Sequence, residues 1–276
     1  MAALDRLGWA AGLAFESYGL RLGVRVDRPD VLERVAGILP PGWRSRRSPV
    51  VDQLYSFVAG GAEGRMRRFS LAYAGSTRIA RTPEMEEALG ALASSLRLYV
   101  AEAARDRVFV HAGVVAWRGR AILLPGRSCS GKSRLVAALA RAGASYYSDE
   151  YAVLDALGRV HPYPAPLCWR DEDDKTTRIP ASELGEPAAR PLRAGLVALA
   201  RYQAGARWRP RALSPGRGML ALVANTIPAR RDPRAVMSAL KQVVSSAAVW
   251  EGLRGEAEET APLLLQAAEP RSEVVA

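Results

Sequence analysis

The stretch Gly126-Arg127-Ser128-Cys129-Ser130-Gly131-Lys132-Ser133 has the spacing G-x-x-x-x-G-K-[ST]. Few arrangements of a chain can use it. The glycines let the backbone curl so that several N–H groups point inward at phosphate oxygens. A helix must follow, so that its positive end faces the same anion. A strand must precede, to hold the loop at a sheet edge. Both are legible. Arg120-Ala121-Ile122-Leu123-Leu124 is a short apolar run that reads as a strand. Arg134 to Arg141 reads as a helix, with Leu135, Ala138 and Leu139 on one face and Gly143 as its stop. Lysine occurs only at 132, 175 and 241, so Lys132 in this place is informative. Its charge would neutralise β- and γ-phosphates, and the Ser133 hydroxyl would ligate Mg²⁺. Gly126, Arg127, Ser128, Cys129, Ser130, Gly131, Lys132, Ser133 and Arg134 are therefore the candidate nucleotide contacts.

Composition narrows the rest. At 276 residues, 49% of them hydrophobic, the chain can bury one large core or two modest ones. No apolar run is long enough to span a membrane. Leu7 to Phe15 is apolar, but Asp5 precedes it, Glu16 follows it and no small-residue cleavage site is evident, which argues against a signal peptide. Cys129 and Cys168 give no disulfide framework and no metal quartet, so the reducing cytoplasm is the expected compartment. The formal charge is +11, almost all of it from arginine spread end to end. The densest stretch, Arg201 to Arg217, contains Pro210 and Pro215 and reads as a loop, against a nucleic acid as the partner.

Along the chain, residues 15–26 alternate as a strand, and Pro29-Asp30 opens a short helix to Gly37. Residues 50–82 read as two or three short strands with glycine turns at Gly60-Gly61 and Gly75. Thr82-Pro83-Glu84 reads as a cap, first position and acidic first turn of a helix to about Ala104. Val108 to Trp117 is a strand, Arg118-Gly119-Arg120 a tight turn, and the loop strand follows at once. Ala144 to Ser148 forms a strand ending in Asp149-Glu150. Tyr151 to Leu154 continues, and Arg159 to His161 returns. Asp171 to Asp174 is an acidic loop, residues 195–202 a buried strand, Asp232-Pro233 a helix start, and Glu256 to Ala268 a last helix. The expected fold class is α/β: a P-loop core with a strand hairpin feeding the phosphate loop, preceded by a small α+β region. The expected domains are 1–100, a candidate for acceptor recognition, and 101–276, the nucleotide-binding domain.

Asp149 lies 17 residues after Lys132. In a parallel sheet the ends of adjacent strands share the edge where ligands bind. A carboxylate there holds Mg²⁺ through water or takes the proton from an attacking hydroxyl. Two adjacent acids divide these roles, with Asp149 as base and Glu150 on the metal side; the alternative is that Glu150 only pairs with an arginine. Adjacent strand residues point to opposite faces, so both reach one site only where the strand ends or bends. By position alone His111 reads as a core histidine. His161 reads as structural. Arg170 either clamps a phosphate or is a surface charge. Cys129 offers its backbone N–H to phosphate and no redox role.

Val110-His111-Ala112-Gly113-Val114, the Arg118-Gly119-Arg120 turn, the loop 126–133 and Ser148-Asp149-Glu150 together resemble the HPr serine kinase/phosphorylase family. The resemblance is closer to its shorter relatives in peptide-modification systems, such as lasso peptide kinases. The nucleotide core is similar to that of ATP-dependent phosphoenolpyruvate carboxykinase. It is strong over about 105–170 and weaker elsewhere. It implies a serine kinase using ATP and Mg²⁺, with Lys132 and the loop glycines on the nucleotide, Asp149 as the catalytic acid and His111 close to the reacting phosphate. Two features depart from the family. The second acid is Glu150 where the family usually has aspartate, and the Glu-x-Arg-Gly-Leu-Gly stretch is missing, with Cys168-Trp169-Arg170 in its place. The reverse phosphorolysis, the HPr substrate and the hexamer are therefore not carried over, and a homo-oligomer stays open. The expected activity is transfer of a phosphoryl group from ATP to a serine-type hydroxyl of a peptide or protein. A small-metabolite P-loop kinase and a nucleotide-binding regulatory module without transfer activity are the alternatives.

Overall fold

The computed structural model describes residues 2–60, 69–126, 130–170, 176–185 and 190–269, with backbone alone at 2, 3, 170, 176, 229 and 230. The chain is mixed α/β and divides into two compact units, 1–106 and 107–276.

In the first unit α1 (Ala2–Asp5) precedes the hairpin β1 (Ala11–Ser17) and β2 (Leu20–Val26). A 3-10 turn then leads into α2 (Leu32–Ala36), followed by β3 (Arg44–Arg46), β4 (Gln53–Val58), β5 (Ser70–Ala74), β6 (Thr77–Thr82) and α3 (Met85–Ala103). The sheet order is β3-β1-β2-β4-β5-β6. The expected single strand over 15–26 is two strands. Tyr18 and Gly19 both take positive φ, 49° and 77°, which makes the two-residue turn whose twist matches a hairpin. The helix expected to start at Pro83 starts two residues later. Thr82 Oγ1 accepts the Glu84 N–H and donates to Glu87, closing a turn outside the helix, and Glu84 is the N-cap. Gly61 lies outside the described residues.

The second unit opens with β7 (Val108–Trp117) and β8 (Arg120–Pro125), joined by Arg118 and Gly119 at φ 47° and 77°, the same turn chemistry as at Tyr18-Gly19. There follow α4 (Lys132–Arg141), β9 (Ser145–Ser148), β10 (Tyr151–Leu154), β11 (Arg159–His161) and the small ladder of β12 (Leu167–Arg170) with β13 (Thr176–Ile179). Then come β14 (Leu192–Tyr202), β15 (Arg211–Ala212), α5 (Pro215–Val223), α6 (Pro233–Ser246), β16 (Ala248–Arg254) and α7 (Ala257–Ala267). α6 begins as its sequence predicts, with Pro233 in the first turn and Asp232 capping the Ala235 N–H at 3.0 Å. The expected loop over 201–217 instead contains β15 and the start of α5. β16 has no counterpart among the sequence-based expectations.

The main sheet runs β11-β10-β7-β8-β14-β16-β15, with β9 on β7 beside β10. β8, β14 and β16 are parallel; β7 is antiparallel to β8, β9 and β10. Helices cover both faces. Val110, Ala112, Val114 and Leu123 pack with Leu222 of α5 and Val236, Leu240 and Val243 of α6. Val115, Ile122 and Leu124 pack with Leu135, Val136 and Leu139 of α4 and Leu264 and Leu265 of α7. β8 is buried on both sides, which is why it reads as an unbroken apolar run. Gly113 lets α4 approach: a Cβ there would sit 2.5 Å from Val136 Cγ2.

Candidate functional site

The site gathers at the edge where β8 ends. Gly126 leaves the strand, and its N–H donates to the His111 carbonyl at 3.3 Å. Arg127, Ser128 and Cys129 lie outside the described residues. Gly131 is left-handed (φ 79°) and begins α4 without a side-chain cap, and the first turn carries no acidic residue. The N–H groups that a helix leaves over at this end are thus without a capping side chain. The aliphatic stem of Lys132 folds back over Gly126, where a Cβ would lie 3.6 Å from Lys132 Cδ and 3.1 Å from Ser130 Oγ. Arg134 is exposed on the first turn.

Asp149 follows β9. The sheet places it differently from the sequence-based expectation of adjacent parallel strands. β9 and β8 do run the same way, but the antiparallel β7 lies between them. The strand carrying His111 therefore separates the loop from the acids. The acid pair sits at a bend made by Ser148, whose Oγ accepts the N–H groups of Glu150 (3.1 Å) and Tyr151 (3.0 Å). The Glu150 carbonyl accepts the Ala112 N–H, so the bend is tied to β7.

Asp149 Oδ2 accepts the Cys168 N–H at 3.4 Å, and Oδ1 is buried without a hydrogen-bond partner. Burial pushes the Asp149 carboxyl up to about 6. The Ser133 hydroxyl, the Cys168 N–H and the Lys132 charge act against that rise, and Glu150 adds to it. His111 is brought to about 4 by burial first and the Lys132 charge second, so at neutral pH the imidazole is uncharged. It sits on the α4 face of β7, tilted against the Tyr151 ring at 6.2 Å, and Tyr151 is braced edge-on by Phe109 and Tyr163. Lys132 is thus the common neighbour of the histidine and the aspartate.

Of the expected residues, Gly126, Ser130, Gly131, Lys132, Ser133, Asp149 and His111 come together here, with Glu150 beside Asp149. Arg170 ends β12, paired with Thr176, and its side chain lies outside the described part. His161 Nε2 lies 3.0 Å from Asp155 Oδ2, in a turn that Asp155 also staples through Arg159. The oxygen donors that could hold a metal are Ser133, Asp149 and Glu150. Among the described residues no cluster of three His, Cys, Asp or Glu side chains has metal-holding geometry. The few oxygen donors here, with the Ser133 hydroxyl beside Asp149, fit a hard cation that keeps several waters.

Arg254 is a site neighbour that sequence reasoning missed. At 2% exposure it ends β16, donating from Nη2 to the Gly131 carbonyl (2.8 Å) and from Nη1 to the Gly255 carbonyl (2.8 Å). Among the described residues no carboxylate pairs with it. A Cβ at Gly131 would lie 2.5 Å from Arg254 Nη2 and would push the guanidinium aside, besides straining the left-handed φ.

A scan against protein-family models and a search of curated proteins each found no match to this chain.

Proposed function

We propose that the chain is an ATP- and Mg²⁺-dependent P-loop kinase that transfers the γ-phosphoryl group to a serine-type hydroxyl of a peptide or protein. The observation that carries this reading is Asp149: a carboxyl with one orphaned oxygen, beside Ser133 and in the field of Lys132, at the uncapped start of α4. In this reading the N–H groups of α4 and the Lys132 ammonium would hold the β- and γ-phosphates, while Ser133, with Glu150, would hold the metal. Bound Mg²⁺ supplies charge neutralisation on the phosphate oxygens.

The acceptor oxygen forms a bond to the γ-phosphorus as the bond from that phosphorus to the β–γ bridging oxygen breaks, and ADP leaves. Asp149, ionised above pH 6, takes the acceptor proton. Neutral His111, its ring N–H engaged with the Gly126 backbone, holds the start of the loop beside the transferring group without adding charge. Positioning and electrostatics account for most of the rate. The use of ATP fits a cytoplasmic protein.

The test uses ATP labelled at the γ-phosphate, Mg²⁺, and synthetic serine-containing peptides encoded beside the gene. Label on a peptide serine that disappears in Asp149→Asn is the expected result. Label on a small metabolite, or nucleotide binding with no transfer to any acceptor, would replace this reading with one of its two alternatives.

A further inference from the structure

We propose that the nucleoside of the bound nucleotide stacks on the ring of Tyr202, on the side of the loop opposite Asp149. The proposal rests on the polyphosphate reading of the loop. The order of strands carries it. Asp149 follows β9, which is separated from the loop strand β8 by β7. Tyr202 is the last residue of β14, bonded to the other edge of β8, and Arg254 is the last residue of β16, one strand further on. Because β8, β14 and β16 are parallel, their C-terminal ends share one edge. With strands about 4.8 Å apart, Asp149 stands roughly 10 Å to one side of β8 and Tyr202 roughly 5 Å to the other. A terminal phosphate that reacts at Asp149 belongs to a chain that runs away from Asp149 across the loop. That direction takes the nucleoside to the end of β14.

Tyr202 is built to receive it. The residue is 49% exposed, and its Cβ would be 3.8 Å from a Cβ placed on Gly131, so the ring stands next to the loop. Two contacts hold it. The phenol donates to Glu256 Oε1 at 2.9 Å, and the Arg254 guanidinium lies over the ring, 5.2 Å from its centroid. The same guanidinium binds the Gly131 carbonyl, so one arginine fixes both ring and loop. The Arg134 charge acts on both Tyr202 and Arg254, which places the first turn of α4 beside this cluster. A fixed aromatic ring backed by a cation takes a flat heterocycle by stacking. Every nucleobase offers such a face, so the site holds adenine and guanine alike.

Calorimetry of the full chain with MgATP, MgGTP and inorganic tripolyphosphate with Mg²⁺ tests this. Tyr202→Leu is expected to weaken ATP and GTP by about 5- to 100-fold and to leave tripolyphosphate within about two-fold. Tyr202→Phe keeps the ring but gives up the Glu256 hydrogen bond, so it is expected to lose less ATP and GTP affinity than Tyr202→Leu; an equal loss in both would overturn the stacking role. Unchanged ATP affinity in Tyr202→Leu overturns the proposal. An equal loss for ATP and tripolyphosphate also overturns it, because the ring would then support only the loop. Lys132→Ala separates the two claims: if that variant keeps tripolyphosphate binding, the loop reading itself fails. Should Tyr202→Leu not fold, Tyr202→Trp replaces it. Its added indole emission is expected to be quenched by ATP and not by tripolyphosphate, and the absence of ATP-specific quenching overturns the proposal.

Discussion

Asp149 is held in a form that folding disfavours. Its carboxyl titrates near 6 in the folded chain against an ordinary 3.8, with burial as the main cause. A group whose folded pKa is raised binds more protons folded than unfolded, so its stabilising contribution is complete below pH 3.8 and is lost as pH rises through 6. Asp149→Asn removes that loss. Urea unfolding at several pH values is expected to find the variant more stable than the wild type above pH 6, by up to about 3 kcal/mol, with the gap closing below pH 4. The same variant loses transfer while keeping nucleotide affinity, and wild-type kcat/KM climbs as pH passes through about 6. Arg254 divides binding from stability in another way. Arg254→Met removes a buried charge that no described carboxylate pairs with, so the thermal midpoint stays level or rises, whereas MgATP affinity falls about ten-fold as Gly131 loses its donor. Lysine in place of Arg254 does not restore affinity, since one ammonium cannot reproduce the fork to Gly131 and Gly255. That Lys132 and Asp149 lie near each other was legible from a local spacing. Arg254 was not, because its partner lies 123 residues away and nothing near it in the sequence names Gly131. Ser148 was a visible serine whose turn role appears only once β9 and β10 are seen to meet on β7.

At the scale of elements, the hairpin feeding the loop and the helix behind it were legible, and their packing explains why. β8 is apolar on both faces because helices cover both. The Arg118-Gly119 turn was recognised, while Tyr18-Gly19, with the same two positive φ values, was absorbed into one alternating run. β16 escaped because its burial does not alternate: Val249 and Arg254 are buried and the residues between them are not. The close approach of α4 to β7 depends on Gly113. Gly113→Ala is expected to destabilise the fold by about 1–3 kcal/mol, because Val136 is buried and has no room to turn. Adding Val136→Ala should recover much of that loss in denaturant unfolding. Equal destabilisation in the single and double variants would show that the glycine matters for a reason other than helix approach.

Over the whole molecule, every site group described here belongs to the unit formed by residues 107–276. Among the described residues no helix is long and apolar enough to cross a membrane. The charge of +11 gives the chain a field that draws in anions from a distance, an effect salt suppresses. MgATP affinity is therefore expected to fall several-fold between about 0.05 M and about 0.5 M salt, mainly through the association rate. The arginine excess was legible at once, but composition could not say which cations gather at the edge of β8, β14 and β16. That required the order of strands. The central claim is that a polyphosphate docks between Gly126 and Ser133. Titration calorimetry of MgATP into the wild type and into Lys132→Ala tests it most directly. The account predicts a saturable heat for the wild type and its near-complete loss in the variant; the same heat from both proteins would contradict it.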